Sequence, residues 1–96
     1  MLFAVICNDR PGALEVRKAN RTDHVAYLKS SGAVDQAGPF LDAHGEMCGS
    51  LVIIEVADMD AAQLWAAGDP YARAGLFASV SIRPWNRVIG RTDALS

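Results

Sequence analysis

Between Leu51 and Ile54 four large apolar residues follow one another, inside the stretch Met47–Val56 (MCGSLVIIEV) that is rich in β-branched side chains. That composition favours an extended strand, and along a strand successive side chains point to opposite faces of the sheet. Leu51, Val52, Ile53 and Ile54 therefore cannot all point at one layer of helices, and both faces of the sheet need an apolar cover. The chain has 96 residues, a length suited to one compact domain and too short for two. Its own helices can cover one face. A second copy packed face to face is the simplest cover for the other.

Elsewhere the punctuation comes from Gly and Pro, and no repeat, low-complexity tract or linker composition interrupts the chain. Leu2–Asn8 (LFAVICN), stopped by Asp9-Arg10-Pro11-Gly12, reads as the first strand. Ala13–Ser31 is mostly helix formers, with Gly32 at the C-cap position, and predicts the first helix. Thr22-Asp23 offers an internal N-cap there, and with it a break or kink near residues 20–23. Val34–Phe40 (VDQAGPF) carries Gly38-Pro39 and suits an edge strand, Leu41–Glu46 reads as a turn, and Met47–Val56 is the third strand. Asp58 opens a second helix with an apolar stripe of Met59, Ala62, Leu64, Trp65 and Ala66, ended by Gly68. Asp69-Pro70-Tyr71 then starts a short helical turn with Asp at N-cap and Pro at N1. Ser79–Val88 closes the fold with Val80, Ile82 and Pro84 on one face and Ser79, Ser81 and Arg83 on the other, and Arg91–Ser96 reads as a loose tail. The order β-α-β-β-α-β is the ferredoxin-like α+β arrangement, a four-stranded antiparallel sheet with two helices on one face. It takes up about residues 2–88 of a single domain, 1–96.

The chain is 51% hydrophobic and 21% charged, which is too apolar for disorder, and no run of apolar residues is long enough to span a bilayer. A soluble globule with no membrane partner is expected. Nine Lys and Arg against eleven Asp and Glu leave a net charge of −2, which removes the drive toward phosphate and argues against a nucleic-acid partner. The opening MLFAVICNDR has neither the basic region nor the cleavage site of a signal peptide, so a cytoplasmic location is expected. Cys7 and Cys48 lie in apolar segments without clustered His; they form neither a disulfide framework nor a zinc site and read as buried thiols. A redox role for the pair is the weaker alternative. No phosphate loop, metal-ligand spacing or dinucleotide fingerprint occurs, so the expected activity, if there is one, uses no cofactor.

His24 follows Arg21 by three residues and Arg17 by seven, which places all three on one helical face. A neutral imidazole facing a pocket there is able to act as a general base; the alternative is a half-exposed His on a solvated basic face. Asp69 needs no function, since an N-cap Asp before Pro stabilises a helix by about 1 kcal/mol. If it met His24 across the two helices, it would fix the imidazole tautomer and stabilise positive charge on the ring. His44, in the turn, reads as solvated. Ser50 follows Gly49 without a nucleophile-elbow pattern; Gly49 marks a bulge or a close backbone approach, and Ser50 could point its hydroxyl into a cleft. Tyr71, Trp65 and Trp85 read as core or dimer-interface aromatics.

Taken in order, Arg17, Arg21, His24, Leu28 and Gly32, then Ala37-Gly38-Pro39, Gly49-Ser50, Ile53 and Glu55, Asp69-Pro70-Tyr71, Ala74-Gly75 and Ser81-Ile82-Arg83-Pro84-Trp85 resemble the YciI-like family, also described as YCII-related or DGPF-domain proteins. The resemblance runs from Phe3 to about Val88. It implies a ferredoxin-like dimer related to the dimeric α+β barrels of muconolactone isomerase type, with a cleft beside the sheet. It also implies an active His and Asp pair at His24 and Asp69, and a related member acts as a dehydrochlorinase on chlorinated aromatics. Two readings follow. One is a cofactor-independent lyase, isomerase or dehydrochlorinase-like enzyme acting on a small anionic or aromatic molecule. In it His24 is the base, Asp69 its orienting partner, Arg17 or Arg21 a carboxylate or oxyanion clamp, and Ser50 and Tyr71 line the pocket. The other is a non-catalytic dimeric module that binds a metabolite or a protein, with His24 and Asp69 only packing and capping.

Overall fold

The structure, a computed structural model, describes residues 1–90; the tail read at Arg91–Ser96 lies outside the described residues. Four strands and three helices follow as β1 (Leu2–Asp9), α1 (Leu14–Ser30), β2 (Val34–Leu41), β3 (Met47–Glu55), α2 (Met59–Gly68), α3 (Pro70–Arg73) and β4 (Phe77–Trp85). The strands form one antiparallel sheet in the order β2-β3-β1-β4, which is the expected ferredoxin-like α+β arrangement.

Register divides the apolar run of β3 as its alternation requires. Phe3 lies between Ile54 and Pro84, Val5 between Val52 and Ile82, and Cys7 between Ser50 and Val80. Phe3, Val5, Cys7, Val52 and Ile54 of this face build the main core with Ala62 and Trp65 of α2, and Tyr27 and Leu28 of α1 pack against it. The intervening residues face the other way: Ala4 lies between Ile53 and Arg83, and Ile6 between Leu51 and Ser81. Among the described residues no helix covers that second face. Ala4, Ile6, Leu51, Ile53, Phe40 and Trp85 line a concavity of about 710 Å³ on it. A second, smaller cluster of Ala13, Tyr71 and Leu76, with Val16 and Phe77 against it, seats α3 below the start of α1.

Several local expectations change. α1 passes through residues 20–23 as one helix of 17 residues; Thr22 and Asp23 are exposed, and the burial of Arg17 and His24 on either side holds the turn between them in register. Leu64 is 77% exposed and outside the buried stripe, because it lies about 200° around the helix from Ala62. β4 starts at Phe77, two residues before Ser79, where a register shift between Asn8 and Asp9 lets Asp9 pair with Phe77, and it ends at Trp85 before Val88. Val80 keeps the expected face but, on an edge strand, remains 45% exposed.

Two glycines are required by geometry. Gly32 ends α1 with φ of 70°, a left-handed conformation that costs a residue with a Cβ. At Gly49 an added Cβ would sit 2.5 Å from the Cys7 carbonyl oxygen and 3.1 Å from the Phe40 ring, so the close approach read from the sequence is real, and β2 shifts register opposite it between Phe40 and Leu41. Among the described residues no helix is long and apolar enough to cross a membrane.

Candidate functional site

The inner face of α1 meets the sheet around a cavity of about 190 Å³. One wall is Arg17, Arg21, His24, Val25 and Leu28 of α1; β2 and β3 contribute Ala37, Gly38, Pro39, Met47, Ser50 and Val52; Tyr71 of α3 closes one side. The helical spacing of 17, 21 and 24 thus brings all three polar residues to one cavity, together with Ser50 and Tyr71.

Arg17 is 2% exposed, and a buried guanidinium is tolerated only with good partners. Its Nε donates to Asp9 Oδ2 at 2.7 Å and its Nη2 to Asp9 Oδ1 at 2.8 Å, a bidentate pair, while Nη2 also donates to Ser50 Oγ at 2.9 Å. Burial works against the Arg17 charge, but the Asp9 hydrogen bonds and field outweigh it and hold the guanidinium above its ordinary pKa. Asp9 is the residue that sequence reasoning missed. Its context, Asp-Arg-Pro-Gly, predicts a turn; in the structure it closes β1 and bonds Arg17 of α1.

His24 is 7% exposed and lies with Nδ1 2.8 Å from Asp69 Oδ1. The same oxygen accepts the backbone N–H of Tyr71 at 2.9 Å, so Asp69 caps α3 and meets the histidine at once. A carboxylate only accepts, hence Nδ1 carries the proton of this bond, and in the neutral ring the lone pair belongs to Nε2. The imidazole stacks on Tyr71 with centroids 3.8 Å apart and planes 12° from parallel. Tyr71 also has the Arg17 guanidinium carbon 4.7 Å from its ring centroid and Phe77 edge-on at 6.1 Å. Burial pushes the Tyr71 hydroxyl pKa up, and Arg17 and Arg21 offset this only in part; the group stays a phenol and a donor at neutral pH.

Arg21 differs from Arg17. It is exposed at the cavity, and its side chain makes no hydrogen bond or ion pair among the described residues. His44 is exposed in the β2–β3 turn, its backbone N–H bound by Asp42 Oδ1 at 2.8 Å, and lies apart from the cavity. Trp65 is core, with Nε1 donating to Ser31 Oγ, whereas Trp85 lies on the open sheet face. Both cysteines are free thiols. Burial, helped by the carboxylates of Asp69 and Asp9, pushes the Cys7 thiol up to about 12, which leaves it un-ionised and a poor nucleophile; Cys48 is half-buried with Sγ 3.7 Å from the Phe40 carbonyl oxygen. Among the described residues no group of three or more His, Cys, Asp and Glu is placed to hold a metal ion.

Residues 1–86 match the model of the YCII-related domain. Protein YciI of Escherichia coli is 35% identical over 97 residues, spanning 92% of this chain and 99% of its own; a protein of Haemophilus influenzae is 36% identical with the same coverage. Among solved structures, the chain is similar to 5-chloro-2-hydroxyhydroquinone dehydrochlorinase (TftG) from Burkholderia phenoliruptrix in complex with 2,5-dihydroxybenzoquinone. That similarity has a TM-score of 0.84 and 36% identity over 90% of this chain and 94% of that one. An antibiotic biosynthesis monooxygenase at 15% identity and TM-score 0.56, covering 90% of this chain and 99% of its own, shares the fold alone. A family model that runs through every strand and helix, and identity sustained over nearly whole chains, make this protein a member of the YCII-related domain family.

Proposed function

We propose that this chain is an enzyme acting on a small molecule by proton transfer, of the lyase, isomerase or dehydrochlorinase type, with His24 as general base and Asp69 as the residue that orients it. The observation that carries this reading is the buried 2.8 Å contact between His24 Nδ1 and Asp69 Oδ1 on the wall of a cavity. Asp69 fixes the tautomer that leaves Nε2 as acceptor, and stabilises the imidazolium once a proton is taken. Such chemistry needs no cofactor. In an elimination of HCl the base takes the proton, and the electrons of the breaking C–Cl bond leave with chloride.

The cavity, at about 190 Å³, is smaller than the ~300 Å³ at which drug-sized pockets begin, and so suits a small anionic or aromatic ligand. Val25, Leu28, Pro39 and Val52 offer apolar contact, while Arg21, with no ion-pair partner among the described residues, offers attraction for a carboxylate or oxyanion. The similar dehydrochlorinase holding 2,5-dihydroxybenzoquinone supports a ring with acidic hydroxyls as the first candidate. The proposal includes a homodimer formed through the open sheet face, where Phe40, Leu51 and Trp85 are 36–39% exposed around the 710 Å³ concavity. It also places the protein in a reducing compartment such as the cytoplasm, for which two free thiols are suited.

The test is chloride release from 5-chloro-2-hydroxyhydroquinone by wild type, His24→Gln and Asp69→Asn. Removing a general base lowers kcat by about 10²–10⁴-fold, so His24→Gln is expected to fall in that range. Asn still caps a helix, so Asp69→Asn is expected to lose rate with little loss of stability. Unchanged turnover in His24→Gln would sink the reading. The capping bond that the Tyr71 N–H donates to Asp69 Oδ1 favours the second reading, a dimeric binding module, and that reading gains if neither substitution alters anything but unfolding temperature.

A further inference from the structure

The groove under α1 continues past the His24 cavity. Val25, Leu28 and Ala37 line that cavity and also a second hollow of about 330 Å³, whose other walls are Lys29, Gly32 and Val34. A bulge in β2 shapes it. Val34 pairs with Ile54, Gln36 with Ile53 and Ala37 with Val52, so Asp35 is an extra residue in the strand. Plain alternation would send Val34 and Ala37 to opposite faces, and the bulge returns both to the side of α1. On α1, Arg21, Val25, Leu28, Lys29 and Gly32 recur at spacings of three and four and share one face. Val25, Leu28 and Val34 are half-buried and give the hollow an apolar floor. Gly32, with no side chain, leaves its far end open. Exposed cations stand at both ends of the groove: Arg21 beside His24, and Lys29 eight residues on, about 12 Å along the helix. The Lys29 ammonium, like the Arg21 guanidinium, has no partner among the described residues. A lysine in the last turn complements the helix dipole, which accounts for its charge and leaves the apolar hollow beside it unexplained.

We infer that this hollow is a tail subsite: it takes a short unbranched apolar substituent of a ligand whose acidic ring sits beside His24, and Lys29 pairs with a carboxylate at the end of that substituent. The inference rests on the reading of the His24 cavity as a ligand site, and it adds what the ligand carries besides its ring. Leu28 and Val25, common to both hollows, form the junction through which the substituent passes. The two cations divide the work by position, Arg21 attracting charge on the ring and Lys29 charge at the tail. The ligand class that fits is therefore an acidic ring, an apolar linker and a terminal acid, in that order along the helix.

The experiment is equilibrium binding, at low salt and neutral pH, of 2,5-dihydroxybenzoquinones that bear a methyl, a butyl or a carboxybutyl group on the ring. Wild type, Lys29→Gln and Lys29→Glu are compared, with visible absorption as the signal. Each fully buried methylene contributes about fourfold in affinity, and a half-open hollow about half of that free energy. Butyl is accordingly expected to bind about tenfold more tightly than methyl. The methyl resonances of Val34, which lines the second hollow alone, are expected to shift with the butyl ligand and to stay in place with the methyl one. An exposed ion pair is a small term that salt screens. The preference for carboxybutyl over butyl is expected to be about threefold in wild type, absent in Lys29→Gln and reversed in Lys29→Glu. A lysine that only serves the helix dipole would alter the unfolding temperature and leave that ratio alone. Butyl binding no tighter than methyl, or Val34 methyls that do not respond, would overturn the subsite. One ratio shared by all three proteins would overturn the role of Lys29. Each of these results leaves the His24 reading to stand on its turnover test. A wild type that binds none of the three ligands overturns the tail subsite together with the ring that anchors it, while chloride release still decides the role of His24.

Discussion

The two faces of the sheet are built from the same four strands and differ in what completes them. On the covered face Val52 and Ile54 are at most 2% exposed under the helices, and the apolar layer gives way at one end to a seam of paired polar groups, Asp9 with Arg17 and His24 with Asp69. On the open face Leu51 is 36% exposed and Trp85 39%, and among the described residues no element packs over them. The difference shows where each kind of specificity resides. On the covered face, losing either Asp9 or Arg17 strands the other as a buried charge, whereas the open face accepts a charge locally and loses only what docks on it.

The largest effect is expected from Arg17→Met. Both members of the pair are nearly inaccessible, with side chains 3% and 6% exposed, and removing one partner of a buried ion pair costs about 3–5 kcal/mol because the other charge is left uncompensated. Urea unfolding should show a loss in that range. Asp9→Leu made together with Arg17→Met should recover most of it, since a buried pair replaced by apolar groups of like volume is close to neutral. Loss below about 1 kcal/mol for the single variant would mean that water reaches the seam, and the contrast between the faces would weaken.

Leu51→Glu probes the other face. A Glu at this half-open position should change the stability of the single chain by less than about 1 kcal/mol. Across a two-fold interface the same substitution sets like charges against each other, which costs several kcal/mol and weakens association by about a hundredfold or more. Sedimentation velocity should find wild type at twice the chain mass and the variant at the chain mass. A monomeric wild type would show that the open face has some other cover.

Most of the architecture was legible because it depends on periodicity: alternation in β1 and β3, the spacing of Arg17, Arg21 and His24, and the caps at Asp58, Gly32 and Asp69 are local signals. The meeting of His24 with Asp69, 45 residues apart, followed from family resemblance; composition and spacing left it open. Asp9 was hidden because Asp-Arg-Pro-Gly is also turn chemistry, and local propensity says nothing about a partner eight residues on. A usable signal was present: a carboxylate ending an apolar strand, followed by an Arg on the helix that packs over it. At residues 20–23 the converse holds: the local N-cap preference of Thr22-Asp23 yields to packing on both sides, and the helix runs on unbroken. Arg17 and Arg21 looked equivalent by spacing, and only the three-dimensional partners separate a buried, bidentate guanidinium from an exposed one.

Cys7 supplies the smallest effect and a sharper boundary between the faces. It lies in the core beside Ser50, with its thiol pushed up from 9.0 to about 12, chiefly by burial and then by Asp69 and Asp9. In the unfolded chain the same thiol ionises near its ordinary value, so the folded state holds the proton more tightly. The associated stability is intact below pH 9.0 and is lost as pH rises from there toward about 12. By pH 10 the loss should be about 1 kcal/mol. Unfolding midpoints should therefore decline above pH 9 in wild type and decline less in Cys7→Ala, with Tyr71, whose hydroxyl pKa is also raised by burial, adding to the residual slope at higher pH. Equal slopes in the two proteins would show that the Cys7 thiolate is solvated where it stands, and that the covered face is open at the end where the polar seam begins.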